Sequence, residues 1–209
     1  MAFYTGKSSS YVKDRFNLAP LDITAEHIKG EVLYYFRYNR SGVAMCCTEL
    51  TDPSSNCIED IVIRESRGDD LLYHAIEVKI SESDFKREFW HKKDKHKERG
   101  DGRFYNYFYF AITPEILGLV TEYLDTEMLP YGIITVGYNE DKNLECKLVR
   151  RPEALKPDPK RDTALIDTAM VRRMSSELTA AHVDIYKLRS GLAEVKRQCL
   201  ALAQSIKLS

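Results

Sequence analysis

The stretch 58-IEDIVIRESRGDDLLYHAIEVKISESDF-85 decides the fold. It holds two apolar, β-rich runs, 57–65 and 71–80, joined by the turn SRGDD. Near-continuous runs of Ile, Val and Leu are typical of strands in a sheet covered on both faces. The second run leads directly into SESDFKREFWHKKDKHKERG, 81–100, which reads as a helix opened by Ser81 or Ser83 and closed by Gly100. Inside the two apolar runs sit three charges: Asp60 in the first, Glu77 and Lys79 in the second.

Upstream, TAEHIKGEVLYYFRYN places Ile28, Val32, Leu33 and Phe36 at helical spacing, with Thr24 as N-cap and His27 at N3, so a helix is expected over 24–39. VAMCCTEL, 43–50, reads as a strand and TDPSSN as a turn. Downstream, RFYNYFYFAI (103–112) reads as an aromatic strand, filling the core on both faces rather than stacking on bases. Pro114 starts a helix to about Leu124, and 131–138 with 144–150 form a hairpin. Helix, three strands, helix, strand, helix and hairpin predict an α/β sandwich around a central mixed sheet. The expected divisions are an N-terminal arm (1–20), the α/β domain (21–150), a linker (151–160) with Pro152, Pro157 and Pro159, and a helical module (161–209).

In that module Leu178, Ala181, Ile185, Leu188, Leu192, Val195, Cys199, Leu202 and Ile206 recur at alternating gaps of 3 and 4. Such spacing is the a/d seam of a coiled coil, so a homo-oligomer, simplest as a homodimer, is expected through 171–206. The alternative is a single amphipathic helix lying on the domain.

The chain has 209 residues, 44% hydrophobic and 30% charged, with a net charge of −1. That composition is globular and gives no overall field for nucleic acid or membrane. The charge is divided unevenly: −6 over 1–149 and +5 over 150–209. No segment approaches the ~20 apolar residues of a bilayer span, so no membrane is expected. The first residues lack an apolar signal core, and five cysteines without a CxxC pair read as reduced thiols; a cytoplasmic protein is expected.

Burying charge is costly unless the charge is paired or bound to metal. Glu77 and Lys79 are two apart and share one face of a strand, and Asp60 on the adjacent strand can reach the same place; the alternative is an ordinary edge-strand ion pair of Glu77 and Lys79 with Asp60 as a cap near a turn. Two carboxylates and a lysine are suited to holding Mg²⁺ or Mn²⁺, acidifying a water and stabilising a phosphoryl transition state.

Asp60…Glu77-x-Lys79 on successive strands followed by a helix resembles the PD-(D/E)XK nuclease superfamily. Over residues 24–140, EVLYYFRYN…CTELT…IEDIVI…AIEVKISESDF…NYFYFAI resembles more closely its MmcB-like branch of DNA-repair and phage nucleases. The resemblance implies a restriction-endonuclease-like αβββαβ core, a Mg²⁺ or Mn²⁺ cofactor and cleavage of DNA phosphodiesters. By motif position, Asp60 and Glu77 would be metal ligands, the Val78 carbonyl a further ligand and Lys79 the catalytic lysine. Glu49 matches the branch's extra glutamate, and Glu31 the helix glutamate used as a third acidic contact. Ser81, Ser83 and Asp84 match the segment after the ExK strand. Glu59 stands where the motif's name has proline.

The helix after Lys79 is rich in lysine, and Lys92, Lys93, Lys95 and Lys97, with Ser83, are candidate phosphate contacts to DNA. The interleaved acids also suit a solvated helix. Two other functions fit the same residues: a catalytically silent nuclease fold that binds a host or phage protein complex, and a DNA-binding protein without cleavage.

Overall fold

Thr24 starts the first helix by a reciprocal cap. Its Oγ1 accepts from the His27 amide at 3.3 Å, and His27 Nδ1 accepts from the Thr24 amide at 3.2 Å. The helix, α1 (Ala25–Asn39), buries Ile28, Val32 and Phe36. The protein is seen here in a computed structural model describing residues 22–40, 42–53, 57–91, 104–159 and 161–207, with side chains described except at 88–91 and 200–207.

Three strands follow: β1 (Val43–Thr51), β2 (Ile58–Arg67) and β3 (Asp70–Lys79). Helix α2 (Glu82–His91) crosses over to β4 (Tyr107–Ile112). A short 3-10 turn (Pro114–Ile116) and α3 (Leu117–Thr126) lead to β5 (Gly132–Tyr138) and β6 (Leu144–Arg150). The long α4 (Thr163–Lys207) closes the described chain. The six strands form one sheet in chain order. β1–β2–β3 and β5–β6 are antiparallel, whereas β3–β4 and β4–β5 are parallel. The two parallel joins are those with a helix between them, because a parallel neighbour needs a crossover. The fold is thus α/β, with a mixed six-stranded sheet and a long C-terminal helix.

Apolar side chains cover both faces. On one, α1 packs against Ile61, Ile63, Ile76, Val78, Tyr109 and Ile134. On the other, Val62, Ala75, Phe108, Phe110 and Ile133 meet Phe85 of α2, Val120 and Leu124 of α3, and Ile166 and Met170 of α4. The alternation of β4, with Phe108 and Phe110 on one side and Tyr109 on the other, accounts for the aromatic run as core. Gly132 lets β5 lie close to its neighbours: a Cβ there would meet the Tyr109 ring at 2.6 Å and the Arg150 carbonyl at 3.0 Å.

The aromatic strand begins at Tyr107 rather than 103. Asn106 is held beside Tyr73, donating its amide to the Tyr73 carbonyl at 2.7 Å and accepting the Tyr73 amide on Oδ1 at 2.9 Å. Arg161 donates to the Phe104 carbonyl at 2.7 Å. Phe104 and Tyr105 therefore join the core from a loop. Of the helix expected over 81–100, the described part is α2; residues 92–103 lie outside the described residues.

The proline-rich stretch is tied to the body. Glu153 donates its amide to the Pro130 carbonyl, Leu155 donates to that of Asn106, and the Leu155 side chain is buried. Helix α4 has two parts. Through Glu177 it lies on β1: Glu177 Oε1 accepts from the Thr48 amide at 2.9 Å, and Arg173 Nε donates to the Thr48 carbonyl at 2.8 Å. β1 is an edge strand, and these side chains satisfy polar groups that would otherwise invite another strand. From 178 to 199 every residue is exposed.

Candidate functional site

Asp60 and Glu77 face each other across β2 and β3, one step beyond the paired Ile61 and Ile76. On the other side of β2, Glu49 falls opposite Asp60, between the Thr48–Ile61 and Leu50–Glu59 pairs. Glu77 in turn pairs with Phe110 of β4. One row across the sheet therefore reads Glu49, Asp60, Glu77. Asp60, Glu77 and Lys79 share the strand parity of Val62 and Ala75, so they point to the face carrying α2 and α4.

Glu77 and Lys79 are 5% and 6% exposed. Lys79 Nζ donates to Glu77 Oε1 at 2.9 Å, so the charge on each offsets the burial of the other. Asp60 Oδ2 accepts the Val78 amide at 2.7 Å. A carboxylate thus takes the place of a backbone carbonyl where the β2–β3 ladder ends. A strand residue projects its N–H and C=O toward the same neighbour, so the Val78 carbonyl lies on the Asp60 side of β3 as well. Burial raises the Asp60 pKa, and Glu77 repulsion raises it further; the Val78 amide, Lys79 and Lys29 oppose this only in part.

Lys29 is the site residue that the sequence reading missed. It comes from the buried side of α1 and reaches Glu49 at 2.6 Å and Glu26 at 3.0 Å. Burial alone would lower its pKa, but the hydrogen bonds and attraction of Glu49 and Glu26 outweigh burial and raise it. The Lys29 hydrogen bond holds the Glu49 carboxyl below its usual range. Glu49 also lies 3.9 Å from Arg173 of α4, and its φ of 51° is left-handed, an uncommon state for a glutamate. A signal for Lys29 was available: it lies three residues before Val32 and seven before Phe36, on the inner stripe of its helix.

The remaining candidates fall in different places. Glu31 is half-buried, burial raises its pKa, and its charge is felt by Cys146 of β6 rather than among the chief influences on Asp60. Ser81, not Ser83, caps α2, its Oγ accepting the Asp84 amide at 3.2 Å. Ser83 is exposed, with its hydroxyl 3.1 Å from that of Ser81. Lys92, Lys93, Lys95 and Lys97 lie outside the described residues. A cleft of about 390 Å³ opens where β3 runs into α2, lined by Ile80, Ser81, Glu82, Thr113, Glu115 and Ile116 among others.

Among the described residues, no group of three or more His, Cys, Asp or Glu side chains could hold a metal ion. What remains is a pair, Asp60 and Glu77, with the Val78 carbonyl. These are hard oxygen donors, and Mg²⁺ is commonly held by one or two carboxylates with water completing its shell. A cation there would relieve the repulsion that Asp60 feels from Glu77. The donor set therefore fits such an ion.

A second polar cluster lies on the other face of the sheet. Glu65 and His74, buried on the α1 face, join at 2.9 Å through Oε2 and Nε2. Arg40 and Arg67 reach Glu65 at 3.2 and 3.0 Å, and the Tyr109 hydroxyl lies 3.2 Å from His74 Nδ1. A neutral ring protonated on Nε2 satisfies both partners. Burial brings the His74 pKa down to about 4.

No protein-family model matches the chain, and no curated protein does. Among solved structures, a protein of unknown function from Silicibacter pomeroyi is similar, at 15% identity and a TM-score of 0.47, over 79% of this chain and 90% of that one.

Proposed function

We propose that this protein is a metal-dependent nuclease of the PD-(D/E)XK type that hydrolyses DNA phosphodiester bonds, serving DNA repair, recombination or phage DNA metabolism. The observation that carries this reading is the pairing of Asp60 and Glu77 across two strands, like charges held together with Lys79 beside them. The order helix, three antiparallel strands, crossover helix and parallel strand supports a restriction-endonuclease-like core. Asp60, Glu77 and the Val78 carbonyl would hold Mg²⁺ or Mn²⁺, which supplies Lewis acidity toward a phosphoryl oxygen and a more acidic water. Glu77 holds Lys79 in place, and the ammonium stabilises negative charge gathering on the phosphoryl oxygens. Asp60 keeps its place through the Val78 amide and so fixes the spacing of the two carboxylates. Ser83 and the lysines of 92–97 would grip the phosphate backbone.

One observation favours a catalytically silent binding protein instead: Glu49, a proposed metal ligand, is already paired with Lys29. Cleavage of supercoiled, linear, single-stranded and branched DNA with Mg²⁺ or Mn²⁺ decides between them, using wild type, Asp60→Asn and Lys79→Ala with a chelator control. Metal-dependent cutting lost in both variants is expected. No cutting of any substrate by the wild type would overturn the nuclease reading.

A further inference from the structure

We infer that α4 beyond Glu177 is the dimerisation element of the protein, pairing with the same segment of a second copy as a parallel, in-register coiled coil. This is independent of the nuclease reading.

Through Glu177 the helix has a tertiary partner, the sheet edge; from 178 to 199 it has none among the described residues, and every side chain there is exposed. Yet this free part carries large apolar side chains: Leu178, Leu188 and Leu192 are 62%, 73% and 71% exposed, with Ile185 and Val195 between them. A helix in water gains most of its stability from packing an apolar face, and the described residues of one chain give this segment nothing to pack on. Leu178, Ile185, Leu192 and Cys199 take the a positions of a heptad, and Ala181, Leu188 and Val195 the d positions. Extended back onto the domain, the stripe reaches Met174 and Val171. It is offset by one residue from Ile166, Met170, Arg173 and Glu177, the stripe that faces β1. The helix can thus hold its own domain and a partner together.

Flanking charge chooses the partner and its direction. Positions e carry His182, Arg189 and Lys196, whereas g carries Glu177 and Asp184. In a parallel pair g meets e of the other chain, bringing Asp184 to Arg189 of the second copy. An antiparallel pair would set e against e and g against g, like charge on like. The same register stacks Cys199 on its own copy.

Light scattering of the full chain at micromolar concentration should give twice the 24.1 kDa chain mass. Leu188→Asp with Leu192→Asp should return the mass to that of one chain with the sheet's circular dichroism retained, since both residues are exposed in the single chain. Mild oxidation should cross-link the dimer through Cys199, and Cys199→Ser should abolish the link. Asp184→Lys and Arg189→Glu should each weaken the dimer, and together restore it. A monomeric wild type overturns the inference. So does a dimer that survives the Leu188/Leu192 change, a cross-link that survives Cys199→Ser, or a dimer that does not cross-link.

Discussion

At one end of β2 and β3, Glu65 and His74 are enclosed on the α1 face with a partner for each polar atom of the pair. At the other end and on the other face, Asp60 and Glu77 stand as like charges, with Lys79 hydrogen-bonded to Glu77 and its attraction offsetting only part of the rise in the Asp60 pKa. The same two strands bury charge in both places. The first cluster completes itself from Arg40, Arg67 and Tyr109. The second leaves Asp60 desolvated and repelled, and this residual electrostatic strain marks a candidate for chemistry.

Substitution should separate the two ends. In the proposed nuclease, Asp60→Asn or Lys79→Ala should cut DNA cleavage by roughly 10³-fold, about 4 kcal/mol of transition-state stabilisation. Asp60→Asn should not lower the melting temperature, because it removes a carboxylate pressed by Glu77 and keeps an acceptor for the Val78 amide. A clear loss of stability would show that Asp60 belongs with Glu65 as a structural charge. Glu65→Ala should do the opposite. It leaves His74 and Arg40 without their buried partner and should cost about 3–5 kcal/mol by chemical denaturation, with cleavage per folded molecule retained.

Acid should weaken the closed cluster. His74 has a lowered pKa in the fold, so the unfolded chain takes up its proton first. Its stabilising contribution is present above the unfolded value near 6.5 and is lost as pH falls toward about 4, on the order of 2–3 kcal/mol. Glu65, whose pKa the fold also lowers, contributes in the same direction at the lower end of that window. Denaturant midpoints at several pH values check this, and His74→Phe should flatten the pH 4–6.5 part of the curve. The smallest effect belongs to Lys29→Met. Glu49 is half exposed, so losing the pair should cost only about 0.5–1 kcal/mol, read as a small drop in melting temperature.

Much of the layout was open to pattern reading because it is local. Thr24 and His27 announce their cap within four residues, and alternation puts Glu77 and Lys79 on one face wherever β3 lies. The start of the aromatic strand is not legible, because Phe104 and Tyr105 have strand-like side chains but lie before β4, which begins at Tyr107. Their main chain is diverted by Asn106 and Arg161, partners 33 and 57 residues away from the atoms they bind. The Lys29 contact is not legible in the sequence, because a lysine beside Ile28 looks like a solvated helix residue until Glu49 is brought over it. Glu65 and His74 likewise look unremarkable until β2 and β3 pair.

The sequence by itself determined the order of elements, the strand parity that groups Asp60, Glu77 and Lys79, and the 3–4 spacing of α4. Each rests on helix or strand periodicity, which acts within a few residues. Only the tertiary structure decided that Asp60 takes the Val78 amide, that Lys29 holds Glu49, that Glu65 and His74 close on each other, and that α4 leaves the sheet after Glu177. Those outcomes depend on which distant side chains packing brings together, and on how far burial strengthens the charges that meet there.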